Sequence, residues 1–223
     1  MGKKGFSIGD AVQFGWDTMK NNVSFFIIVI LIMWVAGAIP SGLSSLSYRM
    51  SVGVAAGYGL IFGLISFVVS MFVNMAQTKI SLRFTKGETA DFPDLYNEWP
   101  RFWDFLLGSI LYALIVIGGL ILLIIPGIYW GLKYYFYGYL IIDRGMKPVE
   151  AIKKSGELTD GVKWSLLGFW LVLLGIYILG FLACCVGILF AIPVIMIAVA
   201  YVYRTLLVAT EAPQVQQAPP PAL

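Results

Sequence analysis

Residues 118–145 read GGLILLIIPGIYWGLKYYFYGYLIIDRG, and this stretch decides the fold. An apolar run reaches Pro126 and Gly127, where proline removes a backbone donor and glycine frees the dihedral angles. We therefore predict that a membrane helix breaks or turns at this pair. The chain then returns as an aromatic segment that carries a single charge, Lys133.

The composition indicates a membrane protein. Hydrophobic residues make up 60% of the 223 residues and charged residues only 12%, against about 45–50% and about 25% in a soluble domain. Several apolar runs approach the roughly 20 residues that a helix needs to cross about 30 Å of hydrocarbon. Helices satisfy their own backbone groups there, and alternating barrel-strand patterns are absent from the sequence. We predict an all-α, polytopic membrane helical bundle with short interfacial amphipathic helices.

Six transmembrane helices are predicted in a single integral membrane domain, residues 1–210, before a proline-rich disordered tail, residues 211–223. The predicted spans cover residues 23–40, 52–75, 105–125, 128–142, 164–182 and 188–208. The fourth has only about 15 residues, or about 22 Å at helical rise, so it either crosses or enters and returns as a re-entrant helix. We favour crossing because the charged sequence Asp143-Arg144 follows it.

The first span has a competing interpretation as a cleavable signal peptide. Ala36-Gly-Ala38 has the small-x-small form of a cleavage site. The acids Asp10 and Asp17 in the leader, together with the many later spans, favour an uncleaved span.

Two amphipathic helices are predicted at the membrane surface. The first begins after Ser7, whose spacing from Asp10 resembles a capping box. The apolar face of this helix comprises Ile8, Ala11, Val12, Gly15 and Met19. The second helix covers residues 148–158, with Val149 and Ile152 facing the membrane. Its polar side carries Lys147, Lys153 and Lys154.

A weak internal repeat accompanies these helices. Segments that begin at Asp10, Asp94 and Glu150 each precede a pair of predicted spans. The unit would be a surface helix followed by a hairpin of spans, used three times. The unequal spacing leaves an ancient duplication open.

The distribution of charge predicts the orientation. With six spans, one side of the membrane collects thirteen of the fifteen lysines and arginines, counting Arg204 at that end of the sixth span, and the exceptions are Arg49 and Lys133. All Asp and Glu residues fall on that same side. By the positive-inside rule the charged side is cytoplasmic, so we expect a bacterial inner-membrane protein with both termini inside.

The chemistry required by many enzymes is absent from the sequence. There is no histidine, which excludes histidine triads and histidine metal sites. The adjacent Cys184 and Cys185 lack zinc-site spacing, and no glycine-rich phosphate motif is present. We therefore predict no catalytic residue, no metal site and no cofactor, and the net charge of +3 gives no argument for a nucleic-acid partner.

Lys133 is the charge for which a function is most readily imagined. It either extends its stem towards a lipid phosphate or lines a solute or proton path. Trp130, Tyr134 and Tyr137 either hold its ammonium over their rings or form an interfacial belt. The candidate lipid or solute contacts are Lys133, Trp130, Tyr134, Tyr137, Lys147, Lys153 and Lys154.

Several motifs resemble those of known membrane proteins. They are Leu123-Ile-Ile-Pro-Gly-Ile-Tyr129, Ile141-Ile-Asp-Arg144, Glu150-Ala-Ile152 and Leu158-Thr-Asp-Gly161. This pattern resembles a group of uncharacterised bacterial inner-membrane proteins and the membrane domain fused to some glycerophosphodiester phosphodiesterases. The resemblance implies a six-span helical domain without established catalytic residues. The sequence has no histidine for phosphodiesterase chemistry, so that activity is not implied.

Taken together, these patterns favour a non-enzymatic integral component of a bacterial inner membrane. Its expected role is to bind membrane lipids or a partner protein as a subunit, scaffold or assembly factor. The alternative is a small transporter or channel whose path passes Lys133 and the break at Pro126 and Gly127, because broken helices mark substrate sites in transporters.

Overall fold

The computed structural model describes residues 5–45, 52–90, 98–183 and 186–217. Within these ranges the chain is helical and contains no β-strand, which confirms the predicted all-α class. The helices are α1 (Ile8–Asn21), α2 (Val23–Ser45), α3 (Val52–Thr85), α4 (Phe102–Leu122), α5 (Ile124–Tyr134), α6 (Tyr137–Arg144), α7 (Pro148–Leu158), α8 (Lys163–Leu182) and α9 (Val186–Gln217). A 3-10 turn, Trp99–Arg101, precedes α4.

Four to five of these elements are long and apolar enough to cross a membrane. Among the described residues, the four continuous stretches are Gly59–Thr85, Trp99–Leu122, Lys163–Leu182 and Gly187–Ala212. A fifth is the bent pair of α1 with the first part of α2, whose axes meet at 92°. The predicted fourth span, residues 128–142, is divided between α5 and α6 and is not one continuous helix.

The helices associate in three pairs when α5 and α6 are counted together as one broken helix. These are α2 with α3, α4 with α5 and α6, and α8 with α9. Helix α3 also packs against α9 and α6, and so connects the pairs. Two of the three pairs follow a short helix, α1 and α7 respectively, as the repeat predicts. The proposed start of the second unit, Asp94, lies outside the described residues.

Buried ion pairs join the helices at the charged end of the bundle. Asp143 of α6 accepts bonds from Lys86 (2.7 Å) and from the Tyr203 hydroxyl of α9 (3.1 Å). Glu98 pairs with Lys79 of α3 at 2.7 Å and with Arg101. Both carboxylates are largely shielded from solvent, so each pair fixes the relative positions of two or more helices.

Large apolar side chains are exposed towards the opposite end. They include Leu60 and Leu64 of α3, Ile121 and Ile125 at the α4–α5 junction, and Leu182 of α8. A continuous apolar surface on helices of this length is typical of a surface covered by lipid tails.

The prediction that the apolar face of α1 lies against the membrane is wrong, because this face packs against α9. Ala11, Gly15 and Met19 are buried, and a Cβ atom added at Gly15 would lie 2.6 Å from the carbonyl oxygen of Val194. Small residues at these positions allow α9 to approach closely. The face that the periodicity assigned to lipid is therefore a helix–helix contact.

Helix α7 departs from its prediction in a similar way. Val149 is 56% exposed, but Ile152 is only 7% exposed and packs into the bundle together with Ala151, Ser155 and Leu158. The prediction that Val149 and Ile152 share a membrane-facing surface is therefore wrong for Ile152. The reason is that α4, α5 and α6 cover this side of the helix.

The carboxyl-terminal prediction is only partly within the described residues. Helix α9 continues to Gln217, so the first residues of the predicted disordered tail are helical. Residues 218–223, Arg49, and the Cys184-Cys185 pair lie outside the described residues.

Candidate functional site

The predicted helix break occurs three residues earlier than expected. Leu123 is extended, with φ −166° and ψ 152°, and α5 begins at Ile124. Pro126 and Gly127 lie in the first turn of α5, where the missing N–H of proline has no helical partner to lose. A Cβ atom at Gly127 would lie 2.5 Å from the Leu120 side chain, so this glycine allows α5 to pack on α4.

Beyond the break, α5 and α6 run back along the whole of α4. The contacts with α4 move steadily towards its beginning as residue numbers rise in α5 and α6. Tyr112 donates a hydrogen bond to the carbonyl of Gly131 (3.0 Å), and Arg101 donates to the carbonyl of Ile142 (3.1 Å). This antiparallel course is expected of a segment that crosses the membrane beside α4.

A second break, at Tyr135 and Phe136, separates α5 from α6, and α7 satisfies the backbone groups that it frees. The Phe136 N–H donates to the Ser155 hydroxyl at 3.1 Å. The Lys133 carbonyl accepts from Ser155 (3.2 Å) and from Thr159 (2.9 Å). Because unsatisfied backbone groups are costly in an apolar surrounding, α7 is a structural complement of the broken helix.

The aromatic residues predicted around Lys133 divide between two surfaces. The Lys133 ammonium lies 5.4 Å from the centre of the Tyr134 ring, and its stem passes beside Gly156. Trp130 instead packs against Gly119 of α4. Tyr137 also faces α4, where its hydroxyl donates to Ser109 at 2.9 Å. Among the described contacts, only Tyr134 holds the ammonium over a ring.

Three lysines lie on α7 and at its N-cap, and we call Lys147, Lys153 and Lys154 the α7 lysine face. Lys147 and Lys153 are exposed, whereas Lys154 is half-buried. Lys154 pairs with Glu157 at 3.0 Å. Within the described part of the chain, Lys147 and Lys153 have no ion pair. A shallow groove of about 540 Å³ follows this face. Its lining residues are Met146, Lys147, Val149, Glu150, Lys153, Lys154 and Glu157.

A polar groove, not anticipated from the sequence, lies beside the second helix break. Two adjoining cavities of about 300 and 270 Å³ share Asn74, Thr78, Tyr135 and Tyr139. Gln77, Ser109, Tyr112, Tyr137 and Tyr177 complete the polar lining, and the apolar lining is Met71, Phe105, Gly138, Ile192, Ile195, Met196 and Val199. We call this feature the tyrosine groove.

The hydrogen-bonding groups of the tyrosine groove are partly engaged. Asn74 and Thr78 donate to carbonyls of α3, at 2.7 and 2.9 Å. The Tyr135 ring packs edge-on against Trp170, with 4.7 Å between ring centres. In the described structure the Tyr135 hydroxyl has no hydrogen-bond partner, so it is free to bind another group.

The sequence contained a signal for this groove. Asn74, Gln77 and Thr78 follow the i, i+3, i+4 spacing of one helix face within an otherwise apolar segment. That spacing places three polar side chains together on one face of α3. Elsewhere among the described residues, no group of three or more Cys, Asp or Glu side chains is arranged to hold a metal ion.

Comparisons with known proteins identify similar chains in mycobacteria. The uncharacterised protein Rv2560 of Mycobacterium tuberculosis is 28% identical over an alignment of 242 residues. The alignment covers 97% of this chain and 73% of that protein. The uncharacterised protein Mb2590 of Mycobacterium bovis shows the same identity and coverage. No family model matches the chain. No solved structure matches it either.

Proposed function

We propose that the protein is a non-enzymatic, multi-pass component of a bacterial inner membrane that binds anionic lipid through the α7 lysine face. The observation that carries this proposal is the construction of α7. One side of the helix is buried and bonded to the broken helix through Ser155 and Thr159. The other side presents Lys147 and Lys153 outwards without acidic partners in the described structure.

Exposed tryptophans support a membrane boundary close to this face. Trp99 and Trp103 flank the start of α4, and Trp164 stands at the start of α8. Tryptophan is enriched where the hydrocarbon meets the headgroups. A boundary at the start of both helices lies close to the charged end of the bundle. By the positive-inside rule, we take this end to be cytoplasmic. The similar chains of mycobacteria support a bacterial source, and the inner membrane is part of the proposal.

The expected contribution of each lysine is modest but measurable. A lysine close to an anionic membrane surface contributes about 1 kcal/mol, or about fivefold in affinity. The test is native mass spectrometry of the protein in nanodiscs that contain phosphatidylglycerol and phosphatidylcholine. Lys147→Gln and Lys153→Gln are each expected to reduce phosphatidylglycerol retention by about fivefold. Lys20→Gln is the matched control, because Lys20 pairs with Asp17 at 3.8 Å.

Native mass spectrometry of the protein extracted from its own membranes tests for a protein partner. If a second protein remains bound at fixed stoichiometry after gentle extraction from native membranes, the chain is a subunit or an assembly factor.

If phosphatidylglycerol is retained equally by both lysine variants and the control, the α7 lysine face does not bind anionic lipid.

The transporter alternative receives less support at the position expected for it. Gly127 is packed against Leu120, and the stem of Lys133 lies beside Gly156. Lys133 and the first break are therefore part of the packing between helices. Lys133→Met is expected to leave lipid retention unchanged, whereas loss of a solute flux in vesicles would favour transport.

A further inference from the structure

We propose that the tyrosine groove binds the uncharged, hydroxyl-bearing headgroup of a lipid that enters sideways from the bilayer. This inference is independent of the α7 lysine face, because it concerns other residues and another class of lipid. It follows from the position of the groove, the chemistry of its lining and the free hydroxyl at its centre.

The groove opens where lipid tails would cover the protein. Tyr177, on one wall, is 46% exposed, and its neighbours Leu174 and Ile178 are exposed as well. Across the groove, Asn74 is exposed on α3, beyond the apolar stretch that contains Leu60 and Leu64. A molecule with an apolar tail can therefore place its polar end in the groove and leave its tail against these helices.

The lining selects against charge. In the described structure, the lining of both cavities contains amide, hydroxyl and phenol groups but no lysine, arginine, aspartate or glutamate. A phosphate placed there would lose its hydration without gaining a counter-charge, which is costly in an apolar surrounding. Hydroxyl groups, in contrast, both donate to and accept from amides and phenols. An uncharged headgroup is thus the ligand class that the lining fits.

Tyr135 is the central contact in this proposal. It lines both cavities and stands at the helix break, where its ring is held by Trp170 and its neighbour Phe136 is bonded to Ser155. The hydroxyl is therefore fixed in position while remaining free to bond. Volumes of about 300 and 270 Å³ lie at the lower end of those found for ligand sites, which suits a headgroup rather than a whole lipid.

The test compares lipids and variants in nanodiscs by native mass spectrometry. Diacylglycerol is the uncharged probe, phosphatidylglycerol the anionic probe and free glycerol the soluble probe. Tyr135→Phe removes only the hydroxyl and is expected to reduce diacylglycerol retention by about fivefold, the value of one hydrogen bond. Tyr134→Phe is the matched control, because Tyr134 lies against Lys133 and outside the groove lining. Neither change is expected to alter phosphatidylglycerol retention.

Asn74→Leu provides a second variant that fills the polar wall with an apolar group. It is expected to reduce diacylglycerol retention as well, with melting temperature measured to show that the protein remains folded. Equal loss in Tyr135→Phe and Tyr134→Phe, or no loss in either groove variant, would overturn the proposal. Binding of free glycerol with an affinity equal to that of diacylglycerol would also overturn it, since the ligand would then be a soluble polyol.

Discussion

The hydroxyl of Ser155 provides a sharp test of how the broken helix is stabilised. Ser155 is fully buried, accepts the Phe136 N–H at 3.1 Å and donates to the Lys133 carbonyl at 3.2 Å. Ser155→Ala removes both bonds. The Lys133 carbonyl keeps its bond from Thr159, but the Phe136 N–H loses its side-chain acceptor. A buried donor left unsatisfied costs about 1–3 kcal/mol.

Thermal unfolding in mild detergent measures this effect. For a chain of about this size, 1 kcal/mol corresponds to about 2–4 °C in melting temperature, so a cost near 2 kcal/mol predicts a decrease of about 4–8 °C. Ser66→Ala is the control, because Ser66 donates only to the carbonyl of Phe62 within α3. That bond is local to its helix, and its removal is expected to change the melting temperature by less than about 2 °C. If Ser155→Ala and Ser66→Ala have the same melting temperature, the Ser155 hydroxyl does not stabilise the backbone groups at the second break.

Three further predictions concern packing, charge and orientation. Gly127→Val is expected to lower the melting temperature by several degrees relative to Gly118→Val, because only the first position has a side chain within 4 Å of an added Cβ atom. Glu98→Gln is expected to destabilise the protein by about 1 kcal/mol, since Lys79 and Arg101 lose a charged partner but remain partly exposed; an unchanged denaturant midpoint would contradict this. In a chain without its native cysteines, Leu123→Cys is expected to react with an impermeant maleimide from outside intact cells and Lys20→Cys only after lysis, and the opposite pattern would reverse the orientation.

The helical class and the approximate positions of the long helices could be predicted because they depend on the length of apolar runs. Such runs are a property of the chain itself and need no knowledge of neighbouring helices. The first break was displaced by only three residues, from Pro126 to Leu123, for a similarly local reason. Proline is tolerated in the first turn of a helix, so it marks a helix start as readily as a helix end.

The burial of individual faces could not be predicted in the same way. In a membrane protein, the face that meets lipid and the face that meets another helix are both apolar, so periodicity does not distinguish them. The apolar face of α1 was therefore assigned to lipid, although Gly15 and Ala11 form a surface for α9. The polar face of α3 has a signal in its spacing, but the groove also needs Tyr135 from a separate helix, and no spacing in either segment predicts that Tyr135 lies beside Asn74.

The bonds from α7 to the break at Tyr135 and Phe136 also constrain how the protein enters its membrane. A ribosome makes the chain from its amino end, so the break leaves the ribosome before Ser155 and Thr159 do. During that interval the freed N–H and C=O groups need water or another temporary partner. In a chain that ends after α6, these backbone groups would never gain their bonds from α7. We therefore expect α4, α5 and α6 to reach their final packing only when α7 folds back against them.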